Sequence, residues 1–555
     1  MDFSDPFLSS QLIAYIGNKR ALLPFLQRVI CRLPLDPSRS TFLDPFAGSG
    51  AVSRLARFAG FFVRANDWEP YAWLINSCHL RLRPVDLDAL FEVHGGWDAL
   101  RGELNALPPP PEGRRYISRH YAPRETASAD WRKERLFYTQ ENARAIDAIR
   151  DRIEELYPGF APPETPRFLA KAALLAPLLY EAATHTNTSG VFKACHKGFG
   201  GHGRDALSRI MSPIRLRAPV LSASSAGAEV GCQDAASFLA PRSAEVCYLD
   251  PPYSVHQYGS NYFMLNSIAL WDKPPVSDAR ARDGRLRAKA GIRPDWTKTR
   301  SAFCYRKSAA AALKEVLAAA DCAWLIVSYS NEGLIELDEL CDLLAETGEL
   351  TVEAQGYGRY PGGKQSLHRT ARNMELALVV RRGGPARVSA GVRADLTRIR
   401  TARLMTLSFD PARIRRTFPV RGPGIEAGDA PAALLPMTHL WRFLPDAAPP
   451  RFASPRAARE FEEALGRCVL PDVRAEIDVV VSLASRAPDP AEMSRLLREA
   501  IRLLNKLAHR KYREVFEEAL RMLRAAVPDA SADSSLRARL DVIDRRARRR
   551  LAAAG

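Results

Sequence analysis

No apolar stretch in this 555-residue chain is long enough to cross a membrane. The longest, Ala172–Leu179 and Cys322–Val327, fall far short of the about 20 residues that a helical span needs. The opening MDFSDPFLSS has neither a basic start nor an apolar h-region, so a secretory signal is not expected. Nine cysteines are scattered along the chain and none forms a CxxC pair. An odd count without paired spacing argues against a disulfide framework and a structural zinc site. Cys78-His79 and Cys195-His196 are isolated pairs, expected to be incidental rather than metal ligands. No internal repeat is visible. With 46% hydrophobic and 26% charged residues, the chain is neither disordered nor fibrous. Its length suggests about three domains, and the default expectation is a soluble intracellular protein.

Acidic residues are too few to balance the basic ones: 80 Lys and Arg stand against 63 Asp and Glu, a net charge of +17. Two segments hold the whole excess. Trp271–Ala310 carries 11 basic and 4 acidic residues, and Gly391–Gly555 carries 31 and 21. Phosphate backbones attract such local excess, and the first segment is read as a nucleic-acid contact. In the second the charges interleave with acids, as on solvated helix faces, and charge alone leaves its role open.

The first hundred residues read as an α/β unit. A helix is expected over Ala21–Arg32, a short buried strand at Thr41–Asp44, a glycine turn, a helix from about Ala51 to Ala59 and a second strand at Phe61–Ala65. Four prolines at 108–111 mark a boundary. Residues 112–240 are mainly helical, with Thr139 as N-cap of a helix to about Leu156. A second helix, apolar nearly all round, is expected over Phe168–Ala183 and should be buried. His185–Arg204 has no period and is rich in Gly, Asn, Thr, His and Lys, as suits a loop shaped around a polar ligand. Strand signals return at Val246–Leu249, Trp324–Ser328 and Met374–Val380. Beyond about Val388 come Pro- and Ala-rich loops, then helices around Arg456–Gly466, Pro490–Ala508, Tyr512–Ala525 and Ser535–Ala553.

Asp44-Pro-Phe-Ala-Gly-Ser-Gly50 follows a strand and opens a helix. Glycines there let backbone approach a ligand at a helix N-terminus. A dinucleotide fingerprint needs G-x-G-x-x-G, and Ser53 stands where its third glycine belongs. Asp44 would repel a pyrophosphate and attract an ammonium. Asp67, 19 residues past Gly48, lies where a carboxylate can grip ribose hydroxyls. Together these residues favour S-adenosyl-L-methionine (AdoMet), which has an ammonium, a sulfonium and no phosphate, over a dinucleotide.

Asp250-Pro251-Pro252-Tyr253 places a carboxylate, two prolines and an aromatic at the end of an apolar strand. Paired prolines stiffen the turn and remove backbone donors. A carboxylate and a fixed carbonyl can accept both hydrogens of an exocyclic amine, leaving the nitrogen lone pair free to attack a methyl group. An adjacent tyrosine can stack on the base.

With these motifs together, residues 10–385 resemble the Dam-like, alpha-class DNA adenine-N6 methyltransferases. Tyr15-Ile-Gly-Asn-Lys19 resembles the family's N-terminal AdoMet motif, with Asn18 where Gly-Gly-Lys is common. Asp44 to Gly50, including Phe46, Gly48 and Gly50, resembles the glycine motif. Asn66-Asp67 resembles the ribose-binding acid, and Cys232-Gln-Asp234 the acid that contacts the cofactor's adenine. Asp250 to Tyr253 resembles the catalytic motif. The segment Ser254–Tyr262 is longer and more aromatic than the Dam-like pattern. The order, glycine motif before insertion before catalytic motif, is the alpha arrangement, in which the insertion reads DNA sequence.

The resemblance implies an α/β fold: a Rossmann-like AdoMet-dependent methyltransferase sheet with an inserted helical DNA-recognition region and a C-terminal mainly helical domain. The expected boundaries are 1–104 and 241–388 for the two parts of the methyltransferase domain, 105–240 for the insertion and 389–555 for the last domain. AdoMet is the expected cofactor, held by Tyr15, Lys19, Asp44, Phe46, Gly48, Gly50, Asp67 and Asp234, and no metal is expected. Duplex DNA is the expected partner. Its contacts are assigned to the insertion's basic cluster (Arg114, Arg115, Arg119, Arg124, Arg132, Lys133, Arg135), to Lys193 and Lys197, and to an arm with Arg280, Arg282, Arg285, Arg287 and Lys289. A restriction endonuclease or a defence system is a candidate further partner, and the cytoplasm, in association with the nucleoid, is the expected location. N4-cytosine or RNA adenine methylation and a non-catalytic DNA-binding module are the competing readings. Tyr253 tilts toward adenine, and the intact motifs argue against a dead enzyme.

Overall fold

Leu23, Leu26, Val29 and Ile30 share one buried face of helix α1 (Leu23–Cys31), whose spacing the sequence announces. This computed structural model describes all residues except 1, 202–205, 359–371, 387, 423, 428–432, 439, 445–446, 448, 451, 453, 509–511, 528–533 and 553–555. Strand β1 (Thr41–Asp44) follows, with Phe42 and Leu43 fully buried, as expected of a strand covered on both faces. Then come α2 (Ala51–Ala59), β2 (Phe62–Asn66) and α3 (Pro70–Arg81).

A helical layer intervenes next, with α4 (Gln140–Leu156) and α5 (Pro166–Thr184) as its long members. Thr139 Oγ1 accepts the Asn142 N–H at 3.1 Å, the cap that its position predicts. The chain returns to the sheet through β3 (Ala228–Gly231), α6 (Ala235–Leu239) and β4 (Ser243–Leu249). Helix α7 (Phe263–Leu270), α8 (Ala309–Ala319), β5 (Asp321–Ser330), α9 (Leu337–Ala345), β6 (Gly348–Gly358) and β7 (Arg372–Arg382) complete it.

The seven strands are ordered β3-β2-β1-β4-β5-β7-β6. The pairs β1–β2, β1–β4, β2–β3 and β4–β5 are parallel. The chain therefore builds outward from β1 in one direction, then crosses back and builds outward from β4 in the other. The reversal lies between β1 and β4, and a ligand crevice in an open parallel sheet sits at the carboxyl ends of such a pair. Asp44 is the last residue of β1 and Asp250 follows the last residue of β4.

One apolar core packs α3 against α4, α5 and α7 through residues such as Tyr71, Leu74, Ile149, Leu174, Leu178 and Phe263. A second underlies the sheet, with Phe42, Leu55, Val63, Tyr248 and Ile326. The helical layer thus draws on residues well before the four-proline run and well after β4. Helices α3, α6, α7, α8 and α9 and strands β3 and β6 were not expected from the sequence.

The chain divides into two compact units, Met1–Gln355 with Leu376–Arg387, and Gly356–Glu375 with Val388–Gly555. The second unit contains α10 (Ala390–Leu404), α11 (Pro455–Cys468), α12 (Val473–Ala484), α13 (Pro490–Leu507), α14 (Arg513–Ala526) and α15 (Ser534–Ala552). Four of these helices match the expected ones, and α10 and α12 do not figure in the sequence reading. Where Pro- and Ala-rich loops were expected, a small antiparallel sheet forms from β8 (Val420–Arg421), β9 (Gly424–Ala427) and β10 (Ala433–Pro436). Ile425 and Leu435, paired in register, turn into a core with Phe409, Phe443 and Phe461. Among the described residues no helix is long and apolar enough to cross a membrane.

Candidate active site

The carboxyl ends of β1 and β4 open onto one cavity of about 220 Å³. It is far larger than the roughly 30 Å³ share of a water molecule. Tyr15, Lys19, Asp44, Phe46, Gly48, Asp67, Asp234, Asp250, Pro251, Pro252 and Tyr253 all line it. These come from five separate stretches of sequence. Gly50 stands behind the wall as the N-cap of α2.

Asp44 is nearly inaccessible to solvent. Its Oδ2 accepts the Ser53 hydroxyl at 2.5 Å, while Oδ1 is buried with no hydrogen-bond partner. Ser53, where a dinucleotide fingerprint has glycine, thus has a task of its own. Burial pushes the Asp44 carboxyl up to about 7, the Ser53 hydroxyl and the Phe46 backbone N–H oppose the shift, and the negative charges of Asp250 and Asp67 add to it.

Asp67 braces the glycine turn from the end of β2. Its Oδ2 accepts the Gly48 N–H at 2.8 Å and its Oδ1 the Glu69 N–H at 2.9 Å. Burial raises it to about 6, against the pull of these backbone donors. Asn66 ties the turn to the Asp234 wall: its amide donates to the carbonyls of Pro45 at 3.2 Å and Gln233 at 2.9 Å. Asp234 caps α6 through the N–H groups of Ala236 and Ser237. Gly48 (φ +52°) lies under the Tyr15 ring, and a Cβ there would meet Tyr15 Cε1 at 2.7 Å. At Gly50 (φ +80°) a Cβ would meet Asn76 Oδ1 at 2.3 Å. Both positions exclude a side chain on conformation and on space.

Lys19 is buried and bridges the N-terminal motif to the motif at β4. Its Nζ lies 2.9 Å from Asp250 Oδ1 and donates to the Tyr253 hydroxyl at 3.2 Å. The Tyr253 ring packs on Tyr329 at 5.5 Å between centroids.

Two features of the site escape sequence reasoning. The first is a tyrosine clamp built by the aromatic segment after Tyr253. Tyr262 stacks on Tyr15 with centroids 5.0 Å apart and planes 15° from parallel, and its hydroxyl accepts the Ile16 N–H at 2.8 Å. Tyr258 lies on Tyr15 at 5.0 Å and donates its hydroxyl to the Ile16 carbonyl at 2.9 Å. The unusual length and aromaticity of Ser254–Tyr262 are thus explained: this segment grips Tyr15-Ile16. The second is Glu69, a third buried carboxylate in the cavity wall. Its Oε2 accepts the Asn266 amide at 2.5 Å, and burial raises it to about 7 despite that bond. Its position two residues past Asp67 was the available signal.

The residues assigned to DNA lie outside the cavity. Lys193 and Lys197 are exposed in the aperiodic loop, and Lys197 sits 4.6 Å over the Trp131 ring. Arg204, the expected end of that loop, lies outside the described residues. The arm turns tightly, with Arg280 bridged antiparallel to Leu286. Arg280, Arg282, Arg285, Arg287 and Lys289 are all exposed on it, Arg285 beside Asp283 at 3.2 Å and Arg280 donating to the Gly284 carbonyl. The insertion's basic cluster needs correction. Arg135 is buried and clasps the base of the arm, donating to the carbonyls of Ser277 and Ala288 and pairing with Asp278. Arg114 is engaged by Asp151 and Glu155. The burial of Arg135, invisible in a list of basic residues, sets it apart from Arg119, Arg124, Arg132 and Lys133, which are exposed.

The model of the D12 class N6 adenine-specific DNA methyltransferase family matches residues 15–283. The chain is similar to the Type II methyltransferase M.NlaIII of Neisseria lactamica, at 29% identity over 354 residues that make 63% of this chain and 93% of that protein. It is similar to the Type II methyltransferase M.CviAII of Paramecium bursaria Chlorella virus 1, at 27% over 349 residues, 63% and 92% of the two chains. A third likeness, to modification methylase LlaI of Lactococcus lactis subsp. lactis, is 27% over 379 residues, 66% of this chain and 54% of that one. No solved structure matches the chain.

Proposed function

We propose that this chain, which through residues 15–283 belongs to the D12 class N6 adenine-specific DNA methyltransferase family, methylates adenine N6 in duplex DNA through the cavity between β1 and β4. The observation that carries the reading is the pairing of two differently equipped strand ends. Asp44 ends one with an unsatisfied buried oxygen, and Asp250, fixed by Lys19, opens a proline-stiffened turn at the other.

AdoMet is the family's methyl donor, and the residues present fit it. The buried, unpartnered Asp44 Oδ1 calls for a positively charged donor, which the cofactor's ammonium provides. When bound, AdoMet supplies a methyl group on a positively charged sulfur, which leaves as a neutral thioether. Gly48 and Gly50 keep the turn free of side chains, Phe46 and Tyr15 supply apolar walls, and Asp67 and Asp234 offer carboxylates to hydroxyl and amine groups.

A stacked adenine cannot reach such a cavity, so the target nucleotide flips out of the duplex. Tyr253 then stacks on the base. Asp250 and the Pro251 carbonyl would accept the two N6 hydrogens and leave the nitrogen lone pair free. Positive charge on N6 would be stabilised by the Asp250 carboxylate during transfer, and one N6 proton would then be lost to solvent to give the neutral N6-methyladenine. Lys19 keeps that carboxylate in one orientation. Catalysis is alignment and electrostatics.

The exposed arm, with Lys193 and Lys197, contacts phosphates and sets the position of the duplex, and the helical layer between β2 and β3 reads the bases. Relatives named as Type II methyltransferases and modification methylases support a place in restriction–modification, with a restriction endonuclease as the further partner. The reading is tested by supplying the purified chain with labelled AdoMet and mixed-sequence duplex DNA, then digesting the product to nucleosides. Label in N6-methyladenine is expected, and label in N4-methylcytosine overturns the adenine assignment.

A further inference from the structure

In the second unit, two helices face each other with the same surface pattern. Along α13, Arg498, Ile501, Arg502 and Asn505 recur at the spacing of one helix face. Along α15, Ser535, Arg539, Val542, Ile543 and Arg546 do the same. Together they line a groove of about 540 Å³. Among the described residues no acidic one lines it. The acids of α15 are engaged elsewhere: Asp541 and Asp544 pair with Arg524 of α14, and Asp544 also with Arg548. Arg502 is partly neutralised by Glu499 at 2.6 Å. Arg539 and Arg546 are exposed and make no ion pair among the described residues.

We infer that this groove binds the phosphate backbone of duplex DNA, giving the C-terminal unit a nucleic-acid contact of its own. Its rim offers guanidinium N–H groups, with Asn505 and Ser535 as neutral partners, and guanidinium geometry matches phosphate oxygens. An acidic amphipathic peptide would need several exposed apolar anchors at helical spacing. Ile501 is buried and Ile543 half-buried, which leaves Val542, 45% exposed, as the groove's one exposed large apolar side chain among the described residues. The lining therefore favours a polyanion read through charge. The inference rests on the methyltransferase reading only in taking duplex DNA as that polyanion.

The test is fluorescence-anisotropy titration of the full chain on labelled mixed-sequence duplex DNA across a salt series. Three proteins are compared: wild type, a triple variant (Arg498→Gln, Arg539→Gln, Arg546→Gln) and its charge-keeping counterpart with lysine at the same positions. Thermal melting of each confirms the fold. The glutamine triple is expected to bind about tenfold or more weakly at 0.1 M salt, and its log–log salt slope to be flatter by roughly 2–3. The lysine triple should keep both near wild type. Affinity and slope unchanged in the glutamine triple overturn the inference while leaving the enzyme reading intact. So does unchanged DNA binding accompanied by the loss of an acidic protein partner. A wild-type chain that binds no duplex DNA overturns the enzyme reading along with the groove.

Discussion

Asp250 and Asp44 face the same cavity and are asked to do different things. On the proposed mechanism Asp250 orients the amine, so Asp250→Ala should abolish methyl transfer while AdoMet binding stays within about tenfold of wild type. Equilibrium dialysis alongside a transfer assay separates the two, and a joint loss of binding and transfer contradicts the assignment. In the proposed reading Asp44 is the cofactor's counter-charge. Burial lifts its carboxyl to about 7, above the about 4 of an unfolded chain. Its protonated form is therefore favoured in the folded protein, and it contributes stability that declines as pH rises from about 4 through 7. A cationic ligand reverses that preference. AdoMet affinity should fall as pH drops below 7, by up to about tenfold per pH unit, and Asp44→Asn should flatten the dependence. Calorimetric titration at pH 6 and pH 8 checks both.

At the scale of elements, the motif-bearing parts of the fold were legible. Strand β1, the glycine turn, α2 and the Asp-Pro-Pro-Tyr turn follow from local pattern because each is a short run whose chemistry and geometry coincide. The clamp was not legible. Tyr262 and Ile16 lie 246 residues apart, and nothing local to either names the other. Helix α7, which follows the clamp, is buried nearly all round and mostly apolar, with Asn266 and Ser267 bonded internally, so it shows no clear period. The small sheet of the second unit was hidden by strands of two to four residues, too short to display an alternation. The clamp makes its own prediction. Tyr262→Phe keeps the stacking on Tyr15 and removes the acceptor for the Ile16 N–H, a loss of about 1 kcal/mol. The KM for AdoMet should rise several-fold with kcat little changed. A fall in kcat at unchanged KM would assign Tyr262 to the chemical step instead.

For the whole molecule, charge and catalysis are separately placed. The cavity is walled by three carboxylates raised by burial, while the net positive charge sits on exposed arms and helices. DNA affinity should thus respond to salt and the chemical step should not. Neutralising Arg282, Arg287 and Lys289 together should weaken binding to every duplex and flatten the salt slope by about 3, leaving single-turnover transfer at saturating DNA unaltered. An unchanged slope removes the arm from the interface. The sequence marked the arm through its charge density, whereas it overcounted the insertion, since Arg135 spends its donors inside the protein and Arg114, though exposed, is held by Asp151 and Glu155.

The most direct measurement is single-molecule sequencing of DNA from a methylation-free bacterial host that expresses the chain, with an Asp250→Ala culture beside it. The account predicts a kinetic signature of modified adenine at one short motif in the first culture and none in the second. A signature on cytosine, or one on adenine that survives the substitution, would contradict it.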